Sequence, residues 1–349
     1  MSYTDHPEQY HLAYSPLDIA ALQYLYGPSA TARAGNDTYS LSTSSANFIW
    51  DGAGTDTLNA AALAMPVTLY LEPGYWGHIG GKAATITAAG QVTVNFGSII
   101  ENLLGGSADD RLIGNAAANV ITGNAGSDSI DGAAGNDTLR GGEQADSLLG
   151  GAGDDYINGG KGADIAGGGD GNDSLVGAMD NDTLSGDNGF DLLDGGEGND
   201  SLAGGLNADT LWGGAGDDFL SGGRGTDNLN GGDGNDTLVG GLGTDQLTGG
   251  AGADHFVFKH PLDGSYNIDT FADFTSGMDV IELSTSIFTA FSGQLGSQPG
   301  VSAHLTYRSD TGALAYDADG AGGNPAAIFA IVGTTTHPAT MDNAFLIVA

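Results

Sequence analysis

The stretch Gly231-Gly232-Asp233-Gly234-Asn235-Asp236-Thr237-Leu238-Val239 decides the fold. It is one copy of a nine-residue phrase, G-G-x-G-x-D-x-U-x, in which U is a large apolar residue. Gly150-Gly151-Ala152-Gly153-Asp154-Asp155-Tyr156-Ile157-Asn158 and Gly195-Gly196-Glu197-Gly198-Asn199-Asp200-Ser201-Leu202-Ala203 are two more copies. Over residues 105–257 the phrase recurs seventeen times without insertion or deletion. The sixth position is Asp in sixteen copies and Asn119 in the other. The eighth is Leu, Ile or Phe in sixteen copies and Ala166 in the other. Self-similarity at one fixed short period is the mark of a stacked solenoid, in which each unit contacts its neighbours.

Each position has a chemical reason. Glycines at positions one, two and four are expected to take positive φ and turn their carbonyls toward a common point. The sixth-position Asp adds a charged oxygen. Hard oxygens converging in this way suit Ca2+, which takes six to eight of them at about 2.3–2.6 Å. The predicted ligands are the carboxylates of Asp110, Asp128, Asp137, Asp146, Asp155, Asp164, Asp173, Asp182, Asp191, Asp200, Asp209, Asp218, Asp227, Asp236, Asp245 and Asp254. Backbone oxygens join them, illustrated by Gly150, Gly151, Gly153, Gly195, Gly196 and Gly198, and by Gly213, Gly214, Gly216, Gly231, Gly232 and Gly234. After the turn, x-U-x reads as a three-residue strand with its middle side chain inward. Two phrases then make one coil of about eighteen residues. An ion between each turn and the equivalent turn one coil on gives at most about fifteen sites for seventeen repeats.

A tract this rich in Gly, Asp and Asn also fits a flexible linker. The apolar residue at every ninth position argues against that reading when calcium is present. Without calcium the balance reverses. Stacked coils place like carboxylates about 5 Å apart, where each pair repels by roughly 3 kcal/mol at an effective dielectric of about 20. One buried Leu per phrase offsets only about 1.5–3 kcal/mol. Metal binding is then expected to supply the folding free energy.

Charge and composition exclude several classes. There are 44 acidic and 8 basic residues, for a net charge of −36. The repeat tract holds 27 acids against Arg111, Arg140, Lys161 and Arg224. Such a surface repels nucleic acid and anionic membranes. With no cysteine there is neither a disulfide framework nor a thiolate zinc site. No apolar run reaches the twenty residues of a membrane span, so no membrane insertion is expected. The N-terminus lacks the basic and apolar regions of a cleaved leader. Millimolar calcium is an extracellular condition, so export by another route is expected.

Four segments follow. Residues 1–27 read as a loop and one helix over 17–27, with Ser15 as N-cap, Pro16 at the first turn and Gly27 as the stop. Residues 28–104 read as a β-rich cap, with strands predicted at 38–41, 47–50, 67–71, 84–88 and 92–96. Asp51, Gly52, Gly54 and Asp56 echo the phrase there and form a further candidate calcium site. Residues 105–257 are the roll. Residues 258–349 read as a second β-rich cap, with strands at 271–274, 280–283, 304–307, 314–316 and 328–332. The tail Phe345-Leu346-Ile347-Val348 reads as a terminal buried strand as well as a sorting signal. The fold class expected is therefore all-β, a parallel β-roll with β-rich ends and one short helix.

The repeats resemble the RTX calcium-binding β-roll. Leu17-Asp18-Ile19-Ala20-Ala21-Leu22-Gln23-Tyr24-Leu25-Tyr26-Gly27 resembles the helix leading out of the protease domain of serralysin-type zinc metalloproteases. Met1-Ser2-Tyr3 is similar to that family's Met-turn, which makes Tyr3 a vestigial zinc ligand. Trp50-Asp51-Gly52-Ala53-Gly54-Thr55-Asp56-Thr57-Leu58 and Ile100-Glu101-Asn102-Leu103-Leu104-Gly105-Gly106 are similar to its C-terminal domain. The tail is similar to the uncleaved signal of type I secretion. The resemblance implies calcium as cofactor, the type I secretion machinery as partner, an extracellular location and an upstream protease domain. The zinc string H-E-x-x-H-x-x-G-x-x-H does not occur, and none of His6, His11, His78, His255, His260, His304 and His337 makes an i, i+4 pair. No zinc and no catalysis are therefore expected of this chain. The expected function is a non-catalytic calcium-binding module of a secreted serralysin-like protein. The alternatives are the C-terminal part of a zinc endopeptidase and a calcium-stiffened surface spacer.

Quality is expected to vary among the sites. Ala108, Ala117 and Gln144 are poor fourth-position residues, Asn119 lacks the charge, and Ala178 and Asp187 replace second-position glycines. Full occupancy is expected over 195–254 and weak binding over 105–119.

Overall fold

The computed structural model describes residues 35–95, 98–261, 267–291, 304–318, 326–333, 338, 341 and 344–348. Tyr3 and the helix expected over 17–27 lie outside the described residues, as do His6, His11 and His337. Apart from a 3-10 turn at Thr289–Phe291, every named element is a β-strand. No helix among the described residues is long and apolar enough to cross a membrane. The chain is an all-β parallel β-solenoid, in two compact units, Met1–Asp170 and Gly171–Ala349.

In the first unit, coils stack in parallel register at an eighteen-residue step. On one face Leu103 pairs with Ile121, Ile121 with Leu139, and Leu139 with Ile157. On the other face Leu69 pairs with Leu112, Leu112 with Ile130, Ile130 with Leu148, and Leu148 with Ala166. All nine side chains are buried and form the narrow core. The side chains flanking them point outward because strand residues alternate faces.

Stacking begins well before the glycine phrase. Thr38–Ser40 pairs in parallel with Thr57–Asn59, and Thr57–Asn59 pairs with Asn102–Leu104. The opposite face is extended by Val67–Tyr70, Gly77–Ile79, Gln91–Val94 and Asn47–Ile49, paired in that order. The sequence patterns missed Thr57–Asn59, Gly77–Ile79 and Asn102–Leu104. They placed a strand over 84–88, where the chain instead makes bends and turns. The reason is edge availability: Gly77–Ile79 runs antiparallel between its two neighbours, and residues 80–90 are consumed in connecting it to Gln91–Val94.

The three-residue strands predicted for the repeats are longer in the structure. Thr138–Glu143 and Asn228–Asp233 each have six residues, running from the seventh position into the glycines of the next phrase. The glycine region is itself stacked in register, for example Gly214 on Gly232 and Gly232 on Gly250. Identical backbone in successive coils lets the hydrogen-bond ladder carry on past the apolar residue.

In the second unit one face stacks Leu175, Leu193, Leu211, Leu229, Leu247 and Phe271. The other stacks Leu184, Leu202, Leu220, Leu238, Phe256, Ile281 and Phe345. Toward the C-terminus leucines give way to aromatics. Phe256 meets Phe271 at 4.6 Å between centroids, Phe258 meets Phe329 at 5.0 Å, and Phe288 meets Phe329 at 5.2 Å. The larger rings widen and close the core. Asp269–Phe271, Val280–Ser284, Leu305–Arg308, Ala313–Tyr316 and Ala327–Val332 are the observed strands there, shifted by one to three residues from the sequence reading. Phe345–Val348 forms the terminal strand, in parallel with Val280–Ser284, with Phe345 and Ile347 buried.

Candidate metal centres

The sixth-position aspartates are buried, each at 3% exposure or less. Burial of a carboxylate needs compensation, and the structure supplies half of it. One oxygen, Oδ1, accepts the backbone N–H of the aspartate one coil earlier. The Asp200 N–H reaches Asp218 at 2.8 Å, Asp218 reaches Asp236 at 2.9 Å and Asp236 reaches Asp254 at 3.0 Å. The first unit has the same ladder, with the N–H of Asp110 on Asp128 and that of Asp128 on Asp146, both at 2.7 Å.

The other oxygen, Oδ2, is buried with no hydrogen-bond donor at Asp128, Asp137, Asp146, Asp191, Asp200, Asp209, Asp218, Asp227, Asp236 and Asp245. An unpaired buried carboxylate oxygen is costly unless a cation meets it. First-position glycines line the same spaces. A Cβ on Gly231 would overlap Oδ2 of Asp236 and the carbonyl oxygen of Gly249. A Cβ on Gly213 would overlap Oδ2 of Asp218 and the carbonyl oxygen of Gly231. Two oxygens from successive coils therefore face one small cradle that only glycine leaves open. These residues fit a hard divalent cation.

That geometry corrects the reason given for the first glycine. Gly231 does not have positive φ, whereas Gly232 has φ 112° and Gly234 has φ 142°. Position two, and position four in most of the regular coils, takes the left-handed region, with Gly189 and Gly225 as exceptions at the fourth, and position one needs the missing side chain. Four non-glycine residues occupy the second position at positive φ: Asn124, Ala133, Ala178 and Asp187. Gln144, Asp180 and Asn207 do so at the fourth.

Burial is the main cause that raises these carboxyls, with backbone N–H groups opposing it and neighbouring carboxylates adding to it. Asp128, Asp137, Asp146, Asp209, Asp218 and Asp227 are pushed up to about 7, and Asp236 to about 6.

Two positions in the first coils differ. Asp110 accepts Val67 N–H at 2.8 Å on Oδ1 and Gly106 N–H at 2.6 Å on Oδ2, so both oxygens hold backbone. Asn119 accepts the N–H of Asn115 at 2.8 Å and donates to the Glu101 carbonyl at 3.1 Å.

The flanks contain more of this chemistry than the phrase reveals. Among the described residues, the one group of three carboxylates with ligating atoms within 4.8 Å of one another is Asp37, Asp51 and Asp56. Asp56 Oδ1 accepts the N–H of Asp37 at 2.7 Å, and Oδ2 of Asp51 and of Asp56 are buried without a donor. Burial raises Asp56 to about 6. The sequence reading paired Asp51 with Asp56 and left Asp37, in the echo Gly35-Asn36-Asp37, out of the site. At the other end the N–H of Asp245 reaches Asp269, and that of Asp254 reaches Asp279, both at 3.1 Å. A shorter signal was available for all of them: Asp37-Thr38-Tyr39, Asp56-Thr57-Leu58, Asp269-Thr270-Phe271 and Asp279-Val280-Ile281 keep the D-x-U core of the phrase, and Gly35, Gly54 and Gly277 keep its fourth-position glycine.

A parallel β-solenoid with glycine cradles and inward aspartates at an eighteen-residue step defines the class: a calcium-binding β-roll. The repeat tract belongs to the RTX calcium-binding nonapeptide repeat family, whose model matches residues 41–62, 104–139, 132–166, 168–193, 176–211, 194–229 and 221–256. The chain is also similar to Serralysin G of Dickeya chrysanthemi, 36% identical over 112 residues, covering 28% of this chain and 22% of that protein. It is 34% identical over 127 residues to Serralysin of Proteus mirabilis, covering 30% and 25%. With Metallopeptidase AprA of Pseudomonas marginalis it shares 35% identity over 106 residues, covering 26% and 21%. The matched part spans about a quarter of the length of each of these relatives.

Proposed function

We propose that this chain is a non-catalytic calcium-binding module of a secreted serralysin-like protein, disordered in low cytosolic calcium and folding outside the cell. The observation that carries this reading is the column of buried Oδ2 atoms without donors, each beside a glycine cradle. The ligands are the sixth-position aspartates from Asp128 to Asp254, with carbonyl oxygens of the facing glycines. Asp37, Asp51 and Asp56 hold one more ion. Asp110 and Asn119, already engaged with backbone, bind weakly or not at all. Export by a type I system suits a chain that stays extended until it meets calcium, and Phe345–Val348 then acts both as signal and as buried strand. The similarity to serralysins supports a second reading, in which the module serves a zinc endopeptidase domain.

Equilibrium dialysis combined with circular dichroism tests the first reading. Cooperative uptake of several calcium ions per chain, together with a gain of β-signal, is expected. Fewer than two ions bound, or a spectrum indifferent to calcium, would overturn it. Secretion of a chain lacking residues 345–349 through a matching transporter would remove the signal role and leave the structural one.

A further inference from the structure

The two edges of the second unit's roll carry different side chains at the third position of the phrase. One edge presents Asn188, Leu206, Arg224 and Leu242, stacked coil on coil in strand register. The other presents Glu197, Ala215, Asp233 and Ala251, stacked in the same way. Leu206 is 45% exposed and Leu242 38% exposed, and Arg224, Ala215, Asp233 and Ala251 are exposed too. Phe190, at 64% exposure, lies on the leucine edge as well.

Arg224 is the one lysine or arginine in repeats otherwise crowded with carboxylates over 171–257. Among the described residues it makes no ion pair, unlike Lys161, which meets Glu143, and His255, which meets Glu282. A cation between two exposed leucines is a poor choice for a merely solvated edge. It is a good match for an anion between two alanines.

We propose that the roll associates side by side with a second copy of this chain, the leucine edge of one docking on the acidic edge of the next. Both edges have the strand spacing of about 4.7–4.9 Å per coil, so copies laid parallel stay in step along the contact. Arg224 then meets Asp233, Leu206 meets Ala215 and Leu242 meets Ala251. Asn188 meets Glu197, which selects the parallel arrangement over the reversed one. Large side chains face small ones, and the charges are opposite. Every copy keeps one free edge of each kind, so the contact is heterologous and builds rows instead of closing into a dimer. Four coils give a contact only about 15–20 Å long and one side chain wide, a strip too narrow to bury the roughly 1,000 Å² of a stable interface. Association is therefore weak per contact and is seen at high protein concentration. It rests on the calcium-folded roll, because only stacked coils bring the third-position residues into columns.

Sedimentation velocity of the full chain in millimolar calcium, from micromolar to millimolar protein, tests this. Concentration-dependent growth beyond the dimer, weakened by salt, is expected. Arg224→Asp and Asp233→Arg should each lower the association constant by about tenfold or more. The double variant that exchanges the two charges should restore it. Circular dichroism of every sample in calcium reports folding separately, so a folded chain that does not associate sinks this proposal alone. A monomer at all concentrations would overturn it, as would a double variant no better than the single ones.

Discussion

Asp110 and Asp236 occupy the same place in the same phrase, yet they have different chemical capacities. Asp236 gives one oxygen to the N–H of Asp218 and holds the other buried without a donor beside the Gly231 cradle. Asp110 spends both oxygens on backbone, one on Val67 and one on Gly106. Val67 begins a strand of the irregular hairpin region, which has no equivalent in the regular coils. A ligand is thus defined by what else competes for its lone pairs, and the ends of a repeat array are where competition differs.

The largest effect expected from the contrast is global. Removing calcium leaves columns of unpaired carboxylates in the regular coils, so a chelator should convert the β-rich spectrum to a mostly disordered one and enlarge the hydrodynamic radius. A chain equally compact in chelator would mean that the unpaired oxygens are tolerated and that the contrast has no energetic content.

Next come single substitutions. Asp236→Ala removes a ligand and orphans the N–H of Asp218, so the calcium midpoint for folding should rise severalfold and the bound stoichiometry should fall. Asp110→Ala orphans two backbone N–H groups, which costs about 1–3 kcal/mol each when buried, yet stoichiometry should stay the same. Calcium counting by dialysis separates the two. Equal loss of bound ions in both variants would erase the distinction drawn between them.

The third effect is on pH. Carboxyls raised to about 7 in the calcium-free roll bind protons more tightly than in the unfolded chain, where they titrate near 3.9. Protonation therefore favours the calcium-free fold below about pH 4, and this contribution is lost as pH rises through about 7. Two outcomes follow between pH 8 and pH 5. The chelated chain should gain β-structure as pH falls, and the calcium midpoint should rise because protons compete for the same oxygens. A disordered spectrum persisting in chelator at pH 4 would show that the cost of burying charged carboxylates is not what opposes folding.

The smallest effect concerns backbone strain. Ala178 has φ 89° and Ala133 has φ 77° where the phrase calls for glycine. Ala178→Gly should relieve about 1 kcal/mol, read as a small fall in the calcium midpoint with stoichiometry unchanged. No fall would mean that the stacked neighbours already absorb the strain.

Much of the site was legible because it is local. Asp at position six and the apolar residue at position eight lie two residues apart, on one face of a strand, so spacing alone put both inward. The purpose of Gly231 was misread, because its crowding comes from Asp236 and from Gly249 a full coil away. Asp37 was left out of that site for a similar reason: Gly35-Asn36-Asp37 echoes the phrase, but only the stacking of Thr38–Ser40 on Thr57–Asn59 joins it to Asp51 and Asp56. The strand expected over 84–88 failed because an alternating pattern describes a segment's fitness for a sheet and not whether an edge is free.

The sequence by itself determined the coil, its eighteen-residue step, the apolar core and the cation chemistry, since an exact period forces every equivalent atom into the same local surroundings. Tertiary structure alone decided which carboxylate oxygen is spent on backbone and which is left over, where the stack begins and ends, and which exposed residues form columns. Those outcomes depend on atoms eighteen or more residues apart, and they are set only when one coil has settled on another.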